Sequence, residues 1–316
     1  MANSSVELAF VGTAGGRHVI KLCRQELEAR IPGVILHVFP DISDRTAIRV
    51  AVVANPDVED LEQLPNLEFV VSIWAGVEGI AGNDRLPGVQ MARYVDPSLE
   101  AIMTEAVLAH VLNVHRKTYH FLDLQREQRW EQQYYDTPDT LTVGMLGLGE
   151  LGRGAADALS DHGFTTLGWS RSPKKVEGVE TFSGSEGLKA MLPRCNVLVC
   201  LLPLTPGTEG ILNQDLLSRL PKGATLINLA RGGHLVEPDL IEALDSGRLD
   251  LAILDVFATE PLPLDDPMWT HPKVKVFPHI AAPTDRERAS VVAAETVEAF
   301  LIGAEIQGLV DRDLGY

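Results

Sequence analysis

The stretch Leu141-Thr142-Val143-Gly144-Met145-Leu146-Gly147-Leu148-Gly149-Glu150-Leu151-Gly152-Arg153-Gly154-Ala155-Ala156-Asp157-Ala158-Leu159 decides the fold. Leu141 to Leu146 is a short apolar run of strand character, and Ala155, Ala156, Ala158 and Leu159 continue the chain as a helix. Between them stands GxGxxG, Gly147 to Gly152, in the strand-turn-helix context that gives the pattern meaning. Gly147 permits a tight turn, Gly149 lets a pyrophosphate approach the backbone, and Gly152 lets the helix pack on the strand. The N–H groups opening the helix then face the phosphates. A bare GxGxxG is often a chance loop; with a strand before it and a helix after it, this one predicts a dinucleotide site. The earlier Gly12-Thr13-Ala14-Gly15-Gly16 also follows a strand but lacks a third glycine at the required spacing, and reads as an ordinary βα turn.

Outward from this turn, short β-branched runs alternate with amphipathic segments. Val6 to Val11, Val34 to Phe39, Ile48 to Val53 and Leu67 to Val71 form a first series. A long helical stretch, Leu99 to Trp130, separates it from Leu141 to Leu146, Thr165 to Trp169, Asn196 to Leu201, Ala224 to Asn228, Leu249 to Leu254 and Val274 to Phe277. These two series predict two parallel sheets. A last helix, Asp285 to Ile302, carries Val291, Val292, Val297, Phe300 and Leu301, which need a surface to cover, so the chain is expected to return there to the first domain. The boundaries read from this are 1–98 with 284–316 for one domain and 99–283 for the other, with hinges near Asp96 to Leu99 and Ala282 to Asp285 that would let the two close on a ligand.

The chain's 316 residues are enough for two such domains, and 45% hydrophobic with 22% charged residues is a globular composition. A net charge of -17 repels nucleic acid and anionic membrane surfaces, so no partner of either kind is expected, and an anionic ligand must be met by a local cluster of positive groups. Cys23, Cys195 and Cys200 form no CxxC or metal-type set, which suits a reducing compartment. No leader-like start and no apolar run long enough to span a bilayer is visible, so a cytoplasmic location is expected.

An NAD-selective turn places an acid about 20 residues past the fingerprint to accept from the ribose hydroxyl. Here Trp169-Ser170-Arg171-Ser172-Pro173-Lys174 has none, and Arg171 lies 19 residues past Gly152. A solvated basic turn is the plain alternative, but in so acidic a chain Ser170, Arg171, Ser172 and Lys174 suit a 2′-phosphate, so NADP(H) is expected to be preferred over NAD(H). Three charged residues follow strands of the second series: Arg231 after Asn228-Leu229-Ala230, Glu260 after Asp255-Val256-Phe257, and His279 after Pro278. A guanidinium can fork a carboxylate, an imidazole can move a proton near neutral pH, and an acid beside it can orient it. Together they suit redox chemistry on a 2-oxo or 2-hydroxy acid; singly, Arg231 could cap a strand, Glu260 could be a loop acid and His279 could be structural.

With these phrases in view, and adding Leu202-Pro203-Leu204-Thr205-Pro206 and the ending Val310-Asp311-Arg312-Asp313-Leu314-Gly315-Tyr316, the chain resembles the D-2-hydroxyacid dehydrogenase family over nearly its whole length, in its glyoxylate/hydroxypyruvate reductase A branch. The resemblance implies an α/β protein of two doubly wound parallel-sheet domains, a flavodoxin-like substrate domain and a Rossmann cofactor domain with an interdomain cleft, acting as a homodimer whose 99–130 stretch embraces the partner. It implies NADPH-dependent reduction of small 2-oxo acids such as glyoxylate and hydroxypyruvate. Arg231 would bind the carboxylate and polarise the carbonyl, His279 would be the general acid, and Glu260 would support it. Gly147, Gly149, Glu150, Leu151, Gly152, Leu202, Pro203 and Ala230 would meet the cofactor, and Asp255 its carboxamide, while Trp74, Ala75 and Gly76 would offer backbone N–H groups to the substrate. Two features depart from the family pattern: Trp74 stands where a small residue is usual, and Leu202-Pro203 replaces a His-x-Pro. Trp130 and Trp269 are further candidates to line the pocket.

Other chemistries fit less well. His110, His115 and His120 recur every five residues, about 140° apart around a helix, and cannot share a ligand face, so no metal is expected. Phe182 to Gly187 lacks the first glycine of a nucleophile elbow. A methyltransferase would want an acid where Arg171 stands. A non-catalytic, NAD(P)-sensing dimer on the same fold is the main alternative, and the complete Arg231, Glu260 and His279 set speaks against it.

Overall fold

The computed structural model describes residues 6–12, 16–312 and 315. Thr13 to Gly15 of the first glycine turn, Met1 to Ser5, and Asp313, Leu314 and Tyr316 of the ending lie outside the described residues. The chain runs through β1 (Val6–Val11), α1 (Gly16–Arg30), β2 (Val34–Val38), β3 (Val50–Val53), α2 (Val58–Glu62), β4 (Phe69–Ser72), α3 (Glu78–Ala81) and β5 (Gln90–Ala92). There follow α4 (Pro97–His115), α5 (Thr118–Arg126), β6 (Thr142–Leu146), α6 (Glu150–Asp161), β7 (Thr165–Ser170), β8 (Glu180–Ser183), α7 (Gly184–Met191) and β9 (Val197–Cys200). Then come α8 (Gln214–Arg219), β10 (Ala224–Asn228), α9 (Glu237–Asp245), β11 (Leu249–Leu254), β12 (Val274–Val276) and α10 (Arg286–Ile302). Two compact units result, one of the residues up to Asp96 together with those from Thr284, the other Pro97–Pro283. Among the described residues no helix is long and apolar enough to cross a membrane.

The first unit is a parallel five-stranded sheet ordered β2-β1-β3-β4-β5, the flavodoxin-like order. Its strands are nearly unbroken apolar runs, as buried parallel strands must be. The helix α10 lies along α1, but its buried residues are mostly small: Ala289, Ser290, Ala293, Ala294, Thr296 and Val297. Small side chains let two helix backbones approach, and Ser290 Oγ accepts from the Cys23 thiol at 3.4 Å. Phe300 stacks on Phe69 of β4 with ring centroids 4.4 Å apart. Leu301, expected to be covered, is 37% exposed because it falls off this stripe. At the point where the chain leaves and re-enters the unit, Arg288 Nε donates to Asp96 at 2.7 Å.

The second unit is a parallel seven-stranded sheet ordered β12-β11-β10-β9-β6-β7-β8. Outward from β6 this is the Rossmann strand order with one strand added at the far edge. Apolar side chains cover both faces, in one cluster around Leu198, Leu226 and Leu254 and another around Val199, Ile227 and Ile253.

The sequence reading missed β5 and β8, and it joined α4 and α5. The strand β5 is three residues with no β-branched side chain, and it is held partly from outside its own sheet: Val310 N donates to Met91 O and Arg93 N to Gly308 O, so the tail lies alongside it. Arg312 then gives its guanidinium to the carbonyls of Ala81, Asn83, Leu86 and Val89, which makes the charged ending a structural clasp. The strand β8 is an edge strand of mixed polarity, Glu180-Thr181-Phe182-Ser183. The long helix breaks where Lys117 turns left-handed at φ 54° and ends before Gln128, which does the same at φ 56°.

At the glycine turn, Gly147 has φ +102°, and a Cβ there would meet Leu201 O at 2.7 Å. A Cβ on Gly152 would stand 1.9 Å from Gly147 O, whereas one on Gly149 would meet nothing within 4 Å. Gly152 is therefore required by packing, and Gly149 only by what approaches from outside. We expect Gly152→Ala to lower the Tm by roughly 5 °C. Gly149→Ala should leave the Tm unchanged and weaken dinucleotide binding at least about tenfold; thermal melts and cofactor titration check both.

Candidate active site

The carboxyl ends of the second sheet bring most of the singled-out residues to one edge. In strand order that edge carries His279 after β12, Asp255 after β11, Ala230 and Arg231 after β10, Leu202 and Pro203 after β9, Gly147 and Gly149 after β6, and Arg171 after β7. Neighbouring strands are spaced by about 4.8 Å, so β7 and β10 lie three spacings or roughly 14 Å apart, and β10 and β12 roughly 10 Å. The order in which strands are added reverses between β6 and β9, the switch point at which open α/β sheets receive ligands. Leu201 N donates to Leu146 O at 2.8 Å there, setting the Leu202-Pro203 segment beside Gly147.

The cofactor end has the shape a phosphate needs. The helix α6 starts directly after Gly149 with no side chain capping it, its positive dipole end toward the turn, and the space in front of Gly149 is open. One strand over, the basic turn divides its labour. Ser170 is buried and its hydroxyl donates to Ser172 O at 2.8 Å, while Lys174 Nζ donates to Leu148 O at 2.8 Å, pinning the basic turn to the glycine turn. Arg171, Ser172 and Lys174 are all exposed, Lys174 with its ammonium engaged on the glycine turn. These residues fit an adenine dinucleotide carrying a 2′-phosphate.

At the other end Glu260 and His279 meet: His279 Nδ1 lies 2.7 Å from Glu260 Oε2, and Glu260 Oε1 accepts from Phe257 N at 3.0 Å. A carboxylate on Nδ1 fixes the ring so that Nε2 is the nitrogen turned to other partners. His279 itself sits in the left-handed region at φ 52°, which costs a non-glycine residue about 1–2 kcal/mol. Asp255, 1% exposed, supplies the compensation. Its main-chain oxygen accepts from His279 N at 2.8 Å, and its carboxylate oxygens accept from Ile280 N at 2.8 Å and Ala281 N at 2.9 Å. Behind this segment His110 packs edge-on against Phe277 at 4.8 Å; burial pushes its imidazole below the ordinary histidine value, with Asp255 opposing. His115 packs instead on Phe164 and Tyr135.

Arg231 stands on a tight turn. Asn228, fully buried, accepts from Ala230 N at 3.2 Å and donates to Arg231 O at 3.0 Å, and the guanidinium folds back so that Nη1 donates to Ala230 O at 2.6 Å. A Cβ on Gly232 would stand 1.9 Å from the carbonyl carbon of Phe257, so the turn of Arg231 abuts the loop of Glu260 directly. Sequence assigns Asn228 and Gly232 no role of their own; an asparagine closing the strand Ala224-Thr225-Leu226-Ile227-Asn228 is the one available signal.

Trp74, Ala75 and Gly76 belong to the first unit, just past the carboxyl end of β4. Ser72 Oγ accepts from Trp74 N at 3.0 Å, Trp74 O accepts from Tyr94 N at 3.1 Å, and the indole N–H is buried without an acceptor among the described residues. Trp130 is 95% exposed, so it is not the packing residue its type suggests; Trp269 is half exposed, its indole donating to Pro263 O at 2.9 Å.

Residues 108–281 match the D-isomer specific 2-hydroxyacid dehydrogenase, NAD binding domain family. The chain is 42% identical over 296 residues to the glyoxylate/hydroxypyruvate reductase A of Serratia proteamaculans (strain 568), covering 92% of this chain and 94% of that one. Among solved structures it is similar to a D-isomer specific 2-hydroxyacid dehydrogenase from Xanthobacter autotrophicus Py2 in complex with NADPH and MES, with a TM-score of 0.90, 37% identity and coverage of 99% of this chain and 100% of that one. It is also similar to the NADPH-dependent glyoxylate/hydroxypyruvate reductase of Sinorhizobium meliloti in complex with NADP and sulfate, with a TM-score of 0.87, 34% identity and the same coverage. With a glycine turn at the sheet's switch point, a paired histidine and carboxylate on the same edge, and these likenesses over nearly its full length, the chain belongs to the D-isomer specific 2-hydroxyacid dehydrogenase family of NAD(P)-dependent oxidoreductases.

Proposed function

We propose that this chain reduces small 2-oxo acids, glyoxylate and hydroxypyruvate among them, to 2-hydroxy acids, with NADPH preferred and NADH usable. The observation that carries the reading is the His279–Glu260 pair at 2.7 Å on the sheet edge that also carries Arg231 and the glycine turn. Relatives named glyoxylate/hydroxypyruvate reductase A, and neighbours solved with NADPH or NADP, support the substrate class and the cofactor.

When bound, the reduced nicotinamide supplies the hydride that adds to the carbonyl carbon. The N–H groups of Glu150, Leu151 and Gly152 hold the pyrophosphate, with Gly147 and Gly149 giving it room. Leu202, Pro203 and Ala230 line the path along the edge, and Asp255 lies at the carboxamide end. Arg171 and Ser172 take the 2′-phosphate, with Ser170 and Lys174 holding the turn in shape. Residues 99–283 thus form the cofactor domain, and 1–98 with 284–316 the substrate domain. In the latter, Ala75 and Gly76 offer N–H groups to the substrate, while that of Trp74 is already given to Ser72 Oγ. Arg231 grips the substrate carboxylate and polarises the carbonyl. As negative charge develops on the carbonyl oxygen, His279 Nε2 delivers a proton, and Glu260 keeps the ring oriented and steadies its positive charge.

The enzyme works as a homodimer built through the cofactor domain, where Trp130 (95% exposed) and Tyr134 (86%) offer apolar area that one protomer leaves uncovered. A cytoplasmic setting suits three buried thiols, of which burial pushes that of Cys200 up to about 12.

Two charge-assisted contacts at about 1.5 kcal/mol each give NADPH a preference on the order of a hundredfold. Arg171→Ala should lower kcat/KM with NADPH and leave that with NADH nearly unchanged; equal efficiency of the wild type with both cofactors would sink the assignment. His279→Ala should slow glyoxylate reduction by ~10²- to 10⁴-fold while NADPH still binds, and Arg231→Lys, which loses the fork, should raise KM and lower kcat together. Reduction of the 2-oxo acid consumes a proton and oxidation of the 2-hydroxy acid releases one, so raising the pH should disfavour the first and favour the second. If both variants keep wild-type kinetics, the site is misassigned. Sedimentation should find a dimer that Trp130→Ser with Tyr134→Ser weakens; a wild-type monomer at micromolar concentration would remove the dimer proposal.

A further inference from the structure

Three residues beyond Arg231, the fully buried side chain of His234 places each ring nitrogen near a backbone carbonyl. Nδ1 lies 3.1 Å from Arg231 O, and Nε2 lies 3.2 Å from Pro203 O on the neighbouring loop after β9. Carbonyl oxygens only accept, so the ring donates to one of them when neutral and to both when protonated. Each carbonyl has further support. Arg231 O also accepts from Asn228 Nδ2 at 3.0 Å, and Pro203 O accepts from Thr208 Oγ1 at 2.6 Å. The main chain draws the same two segments together, with Gly210 N donating to Gly233 O at 2.9 Å and Leu212 N to His234 O at 2.8 Å. The side chain of Leu204 lies against Gly233, where a Cβ would meet it at 3.0 Å.

We infer that His234 is a positioning residue for Arg231, tying the turn that carries the guanidinium to the Leu202-Pro203 loop. The inference rests on the reading of Arg231 as the carboxylate binder and adds a residue that acts through it. The carbonyl held by His234 belongs to Arg231 itself, where the imidazole adds to the bonds from Asn228 Nδ2 and His234 N, and Gly232 beyond it is pressed on the Phe257 backbone. A purely apolar side chain of the same size would fill the space but remove the imidazole's tie between this turn and the loop of Pro203. The guanidinium would then have to find its fork geometry from a looser turn, which weakens carboxylate capture more than it slows the chemistry that follows.

The test uses the full-length protein with NADPH bound and oxamate, an unreactive 2-oxo acid mimic, as the probe of carboxylate capture. His234→Phe should weaken oxamate binding and raise KM for glyoxylate by about tenfold, with kcat changed by less. His234→Gln, which keeps one donor, should recover part of the loss and serves alone if the Phe variant does not accumulate. In an Arg231→Ala background neither His234 substitution should weaken oxamate further, because nothing remains to position. A loss of the same factor in both backgrounds, or wild-type KM and oxamate affinity in His234→Phe, would overturn the inference. If Arg231→Ala alone binds oxamate as the wild type does, the carboxylate reading of Arg231 falls first, and the positioning role falls with it.

Discussion

Asp255 closes the strand β11 by accepting from three successive backbone N–H groups, those of His279, Ile280 and Ala281. A buried carboxylate is costly unless its lone pairs are met, and a left-handed histidine is costly unless its neighbours hold it there. Each difficulty is the other's remedy. The buried acceptor finds its donors in the segment that must be turned, and the turned segment swings the His279 ring to Glu260. Glu260 is fixed in its turn by Phe257 N, and the same Phe257 backbone is what Gly232 rests against. His279, Glu260 and Arg231 are therefore three ends of one contiguous packing arrangement rather than three independent loops.

The parallel sheet sets the spacing on which this arrangement sits. Because all seven strands run the same way, every βα loop emerges on one edge, and strand order alone fixes how far the basic turn after β7 lies from Arg231 after β10. The glycine turn falls between them at the switch point, next to the loop after β9. An extended dinucleotide fits the length of such an edge.

Charge follows the same local logic. The chain carries -17 overall, so an anionic cofactor and an anionic substrate approach an unfavourable field. The helix start after Gly149, the exposed Arg171 and the guanidinium of Arg231 are small positive features on the carboxyl edge of the second sheet. Surface ion pairs such as those of Arg85 with Glu59 and Glu62, and of Arg194 with Glu180, do little for an incoming ligand.

The sequence by itself determined the features that depend on neighbours in the chain. Periodicity and the glycine spacing identify the parallel strands and the dinucleotide turn, because a buried parallel strand must be apolar throughout and a tight approach must lack a Cβ. The order of Arg231, Glu260 and His279 after their strands was likewise legible, since strand ends are marked by local composition. What depends on residues far apart in the chain was decided only by the tertiary structure. The strand β5 needs the tail beside it, the stripe of α10 needs α1 to explain its small residues, and Ser170 and Lys174 turn out to hold their own loop. The roles of Asp255 and His234 are of the same kind. Each is a polar side chain that also meets backbone groups far off in the chain, 25 and 26 residues away for Asp255 and 31 for His234, and a hydrogen bond's partner is fixed by geometry in space, which no local pattern encodes.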